Sequence, residues 1–138
     1  MTQPSPATHT QLDQLLTGLV ERVADVRHAV VLSEDGLVIS RSTAFPRDEA
    51  ERVAATAAGL MSLSKGISTD VRGGPVRQAL VEMAQGYLIL TSAGPGAHLV
   101  VVSGAGADVG VVAYQMNMLV KKVGEHLSAA PRSTGPAA

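Results

Sequence analysis

Three apolar runs, Val76–Ala84, Tyr87–Ala93 and Ala97–Ser103, follow one another with only Gln85-Gly86 and Gly94-Pro95-Gly96 between them. Runs of this length, rich in Val, Leu and Ile and separated by glycine turns, fold as an antiparallel meander. The two later runs barely alternate between apolar and polar, so both faces of those strands must be covered by helices. The first run, Val-Arg-Gln-Ala-Leu-Val-Glu-Met, is more mixed and suits a strand nearer an edge. An edge strand without lysine or proline is a pairing template and calls for an explanation.

The remaining elements follow from periodicity. Thr10 reads as an N-cap with Asp13 at the capping-box position, and Leu12, Leu15, Leu16, Leu19, Val20 and Val23 form an apolar stripe ending near Ala24. Arg27–Ser33 and Leu37–Arg41 read as a hairpin around Glu34-Asp35-Gly36. Pro46, then Asp48, Glu49 and Glu51, open a helix running to about Ile67. Asp108 caps a last helix, Val109–Leu127. The fold class is α/β of the α+β kind, with five antiparallel strands in the order helix-strand-strand-helix-strand-strand-strand-helix. One domain spans 10–127, and 1–9 and 128–138, rich in Pro, Gly and small residues, are expected to be disordered tails.

Two helices raise the question of a partner. At 100° per residue, Val53, Ala57, Leu60, Met61 and Ile67 share the sheet-facing arc of the middle helix. Ala55, Ala58, Gly59 and Ser62 lie roughly opposite, where a monomer normally carries charge. They are either good helix formers facing water or a seam where another backbone approaches closely. Gly59 in mid-helix costs about 1 kcal/mol relative to Ala and favours the seam. In the last helix Val109, Val112, Met116, Leu119, Val120 and Val123 face the sheet, leaving Val111, Tyr114 and Met118 as a second stripe. Either the first helix covers that stripe or another protein docks on it.

Composition narrows the function. Net charge is −1, with one Phe, two Tyr and no Trp. That leaves no basic footprint for nucleic acid and little for bases to stack on. Without cysteine there is no disulfide, thiolate nucleophile or thiolate metal ligand. No signal peptide and no membrane-spanning run is visible, so a cytoplasmic protein without membrane insertion is expected. Apolar residues make up 46% against 17% charged, and a surface short of charge hints at a covered face.

Catalytic chemistry is not indicated. Gly104-Ala105-Gly106-Ala107-Asp108-Val109-Gly110 sits between a strand and a helix, but Val109 holds the third glycine's place and no βαβ unit follows. There is no P-loop and no nucleophile elbow. His9, His28, His98 and His126 lack metal-ligand spacing, and His28 and His98 read as satisfied structural histidines. Glu34 and Asp35 lie in an exposed turn, without the burial that moves a pKa. Neither a metal, a cofactor nor an enzymatic activity is expected.

The element order, together with "HAVVLSEDGLVIS", "AERVAATAAGLMSLSKGI", "VRQALVEMAQGYLILTSAG" and "GADVGVVAYQMNMLVKKVGEHL", resembles the roadblock/dynein light chain family. The likeness covers nearly all of residues 11–127 and points to the actinobacterial branch encoded beside small Ras-like GTPases in conservon-type operons. It implies the middle helix on one sheet face and the terminal helices on the other. It further implies a homodimer in which the first meander strand pairs with its twin while the middle helices lie side by side. The interface would then hold Ala55, Ala58, Gly59, Ser62, Val76, Gln78, Leu80 and Glu82, with Val111, Tyr114 and Met118 as a partner patch. Members of the family serve as platforms for Ras-like GTPases, and some bacterial ones stimulate GTP hydrolysis. Arg52, Arg72 and Arg77 are then finger candidates, although each reads more simply as a solvated or partner-contacting charge. Two other readings stay open: a sensor of the related α/β/α folds, which needs a pocket with convergent polar groups, and a purely structural scaffold.

Overall fold

Strands that are apolar throughout need cover on both faces, and the sheet has it. The computed structural model describes residues 6–129, with side chains described from 10 to 125. In chain order the elements are α1 (Pro6–Arg22), β1 (Val26–Ser33), β2 (Val38–Arg41), α2 (Arg47–Val71), β3 (Gln78–Met83), β4 (Gly86–Ser92), β5 (Ala97–Gly104) and α3 (Val109–Ala129). The strands form one antiparallel sheet in the order β2-β1-β5-β4-β3.

Alternation along each strand splits the core in two. Ala29, Val31, Ile89, Leu99 and Val101 meet Leu12, Leu16 and Leu19 of α1 and Val112, Met116, Leu119 and Val123 of α3. Val30, Leu32, Leu90 and Val100 meet Ala50, Ala54, Ala57 and Met61 of α2, with Phe45. Each large side chain withdrawn from water contributes about 1.5–3 kcal/mol. α2 therefore lies on one face and the terminal helices on the other.

Several boundaries differ from those read in the sequence. α1 begins at Pro6, so Thr10 lies inside the helix rather than capping it. Asp13 caps nothing either; it accepts hydrogen bonds from the Ser40 hydroxyl and the Arg41 N–H. α1 and α3 both extend into the expected tails; the remainder, 1–5 and 130–138, lies outside the described residues. α2 runs past Gly66 to Val71 and ends where Arg72 adopts a left-handed conformation, its N–H on Ser68 and Thr69 carbonyls. Asp108 caps α3 as expected, its Oδ1 accepting from the Val111 N–H at 3.2 Å.

The first two glycines of the segment 104–110 are explained by Asp25. Asp25, itself at positive φ, accepts the Gly106 N–H at 2.8 Å, and its carbonyl accepts the Gly104 N–H. A Cβ on Gly104 would stand 2.5 Å from Asp25 Oδ1. Two backbone donors that a phosphate would need are thus held by Asp25, the Gly106 N–H by its carboxylate and the Gly104 N–H by its carbonyl.

Candidate interaction surface

The sheet has two edges, and they are finished differently. At the β2 edge, the Arg41 N–H points away from β1 and is taken by Asp13 Oδ1 at 3.3 Å. Just beyond the strand, the Thr43 N–H is taken by Thr17 Oγ1 at 3.0 Å, and the two threonine hydroxyls also bond each other. At the other edge, β3 pairs with β4 alone, and no other described residue bonds to it. β3 carries no lysine or proline, and Leu80 and Met83 are about half exposed on it. Gln78 and Glu82 are exposed, while Val76, before the strand, packs partly against the α2 side of the core.

α2 presents a face that the sequence pattern only partly anticipates. Gly59 and Ser62 are exposed, and a Cβ on Gly59 would meet nothing within 4 Å. Ala55 and Ala58 have a neighbour within the chain. A Cβ on Gly36, in the β1–β2 turn at φ +84°, would come within 3.2 Å of Ala55 Cα and Ala58 Cβ. The shortness of those two side chains thus has an intramolecular reason as well. Ile67, expected to face the sheet, does not. It is 63% exposed, with Leu63 at 71% and Val71 at 68%. The buried arc is centred on Ala54, Ala57 and Met61, and Ile67 falls about 100° away from it at the helical repeat. Because Ala55 and Ala58 turn toward the β1–β2 turn, this apolar row belongs to the opposite flank, on the β3 side of the sheet.

On α3, Val111, Tyr114 and Met118 are exposed, Tyr114 at 61%. α1 does not cover them; it lies along another side of α3, where Arg22 reaches Gln115 at 3.4 Å. Arg52, Arg72 and Arg77 are all exposed.

An open cleft of about 590 Å³ lies between the C-terminal half of α2 and the ends of β1 and β5, lined among others by Lys65, Arg72, Ser92 and His98. Its polar groups are mostly engaged with one another. Glu34 Oε1 accepts from His98 Nε2 at 2.9 Å and from Lys65 Nζ at 3.4 Å. Those bonds hold the Glu34 carboxyl below its ordinary range, the His98 bond contributing most and Lys65 next. The expectation that no carboxylate in this turn is perturbed was therefore wrong: hydrogen bonding shifts it without burial. His28 is stacked on Phe45 with centroids 4.3 Å apart, and burial pushes its pKa down against an opposing pull from Glu49. Neither histidine is fully satisfied, since the Nδ1 atoms of His28 and His98 are buried without a partner. Among the described residues no group of His, Asp and Glu stands ready to hold a metal, and no helix is long and apolar enough to cross a membrane.

Similarity to known proteins follows this architecture. The Roadblock/LC7 domain profile matches residues 12–103. A solved Roadblock/LC7 domain from Streptomyces avermitilis is 71% identical, covering 83% of this chain and 99% of its own, with a TM-score of 0.69. A second solved domain from that organism is 43% identical over 84% of this chain and 97% of its own, with a TM-score of 0.81. The gliding protein MglB of Thermus thermophilus is only 16% identical yet superposes with a TM-score of 0.82 over 93% of this chain and 96% of its own, a likeness of fold. No curated protein matches significantly. The chain belongs to the Roadblock/LC7 domain family.

Proposed function

We propose that the protein is a homodimeric, non-enzymatic adaptor of the cytoplasm that binds a small Ras-like GTPase and modulates its nucleotide state. The observation that carries the dimer is the contrast between the edges: β2 is finished by α1, while β3 is left as a bare template beside exposed Leu63, Ile67 and Val71. Pairing β3 with its twin satisfies the open ladder and buries that row between two α2 helices. In this reading Gln78, Leu80 and Glu82 lie at the joint with Val76 at its entry, and Gly59, one step around the helix from Leu63, borders the second helix, whereas Ser62 shares the flank of Ala55 and Ala58. Ala55 and Ala58 contribute less, because they already face Gly36.

The GTPase is the partner that family membership suggests, and Val111, Tyr114 and Met118 form the apolar patch suited to docking it. In this reading the adaptor acts by positioning the GTPase's own machinery rather than by inserting Arg52, Arg72 or Arg77, which read more simply as solvated or partner-contacting charges. The test is a binding titration against a Ras-like GTPase loaded with GDP or with a non-hydrolysable GTP analogue, followed by GTP turnover. Binding that favours one state supports a regulator, equal binding leaves a scaffold, and no binding in either state removes the reading. Met118→Glu should weaken that binding about tenfold or more, as loss of an interface anchor does, without changing the dimer.

The sensor reading draws on the 590 Å³ cleft, but two of its cationic or ring groups are already bound to Glu34. A melting shift in a metabolite screen would favour it.

A further inference from the structure

A sheet with two extendable edges does not stop at two copies. If each copy offers both β2 and β3, pairing at β3 makes a dimer whose two outer edges are β2 strands, and these can pair again without limit. We infer that α1 is an edge guard: Asp13 takes the outward-facing Arg41 donor of β2 and Thr17 takes the Thr43 donor just beyond the strand, so that assembly closes at the β3 joint. This rests on the dimer reading above and adds what limits it.

Three observations point the same way. The Arg41 N–H, directed away from β1, ends on Asp13 Oδ1, which also accepts from the Ser40 hydroxyl. The Thr43 N–H ends on Thr17 Oγ1, while the neighbouring Ser42 N–H points inward to the Ala29 carbonyl at 2.9 Å, as alternation along an edge requires. A groove of about 690 Å³ runs beside the same edge, between Asp13 on one side and Arg47, Glu51 and Ala55 of α2 on the other. Space for an added strand is therefore present, and the guard consists of occupied hydrogen-bond sites rather than bulk. Asp13 and Thr17 are four apart and share one face of α1, so a single helix position sets both contacts.

The occupant of the unguarded edge would be β2 of a second copy, the sheet edge that remains free once β3 is paired. Sedimentation velocity on the full chain, over a wide concentration range, tests this with Asp13→Ala/Thr17→Val. The expected result is a concentration-dependent series at multiples of the wild-type species, with native circular dichroism. Asp13→Asn/Thr17→Ser keeps an acceptor at both sites and should sediment as wild type. Loss of α1 docking alone would lower the melting temperature without producing the series. Should the double variant fail to fold, Thr17→Val alone frees the Thr43 N–H and should show a smaller part of the same series. If every folded variant keeps the wild-type boundary at all concentrations, the guard is overturned. Failure of the dimer reading looks different: wild type would then be a single chain, and the guard would appear as a shift from one copy to two in the variant.

Discussion

Replacing Ile67 by Glu separates the stability of one chain from the affinity between two. The side chain is 63% exposed in the single chain and makes no part of either core cluster. Its removal should change the stability of the isolated chain by no more than about 0.5 kcal/mol, as for other surface sites. In the proposed dimer the same side chain would be buried. Full burial of an Ile contributes about 1.5–3 kcal/mol, and with nearly two-thirds of it still available each copy stands to lose roughly 1–2 kcal/mol. Two copies double that to about 2–4 kcal/mol, or roughly a 30- to 700-fold weaker dimer at 1.4 kcal/mol per decade. Sedimentation velocity across a dilution series reads the association constant, and thermal melts below the dissociation range read the single chain. An unchanged association constant would refute the placement of this flank at the interface.

Three further outcomes are expected. Gly59→Glu enters open space in the single chain and replaces the poorer helix former, gaining about 0.5 kcal/mol of chain stability; the dimer should nevertheless weaken, and a dimer as tight as wild type would mean that Gly59 faces water. Gly36→Ala sets a Cβ within 3.2 Å of Ala55 and Ala58 at a φ of +84°, so it should destabilise by about 1–3 kcal/mol and lower the melting temperature by roughly 3–10 °C, an effect that must not depend on protein concentration. Acid should weaken the fold in two stages. His28 has a lowered pKa, so its stabilisation is complete above its ordinary value of 6.5 and is lost as pH falls from there through the folded value. Glu34, also lowered, keeps its contribution above 4.5 and loses it on further acidification; being half exposed, it contributes less than about 1 kcal/mol. Urea midpoints at stepped pH should flatten over the upper stage in His28→Phe and over the lower in Glu34→Gln.

What the sequence made legible was whatever depends on local period. β4 and β5 hold unbroken apolar stretches, Leu88–Leu90 and Leu99–Val102, and barely alternate, so their burial and the helices above and below them could be read directly. The mixed pattern of β3 marked it as an edge, and the edge it is. Features set by distant partners were not legible. Asp13 sits where a capping box would place it, and only its approach to Ser40 and Arg41 gives it another role. His98 and Glu34 are 64 residues apart, so nothing local in the hairpin turn announces their bond. Gly66 looked like a helix terminator, yet α2 continues for more than another turn and ends at Arg72-Gly73. Separately, taking the buried arc to include Val53 and Leu60 rather than centring it on Ala54, Ala57 and Met61 set Ile67 on the sheet side and concealed the row Leu63-Ile67-Val71. Ala55 and Ala58 looked like a seam because small side chains alone do not say which backbone they admit; Gly36 is one answer, within the same chain.

The central claim is that β3 is left open for a second copy. Sedimentation equilibrium of the wild-type chain at micromolar concentration addresses it directly. A mass of twice the 14.2 kDa chain is expected, falling toward one chain when Leu80→Pro interrupts the β3 ladder. A single-chain mass for wild type across that range would contradict it.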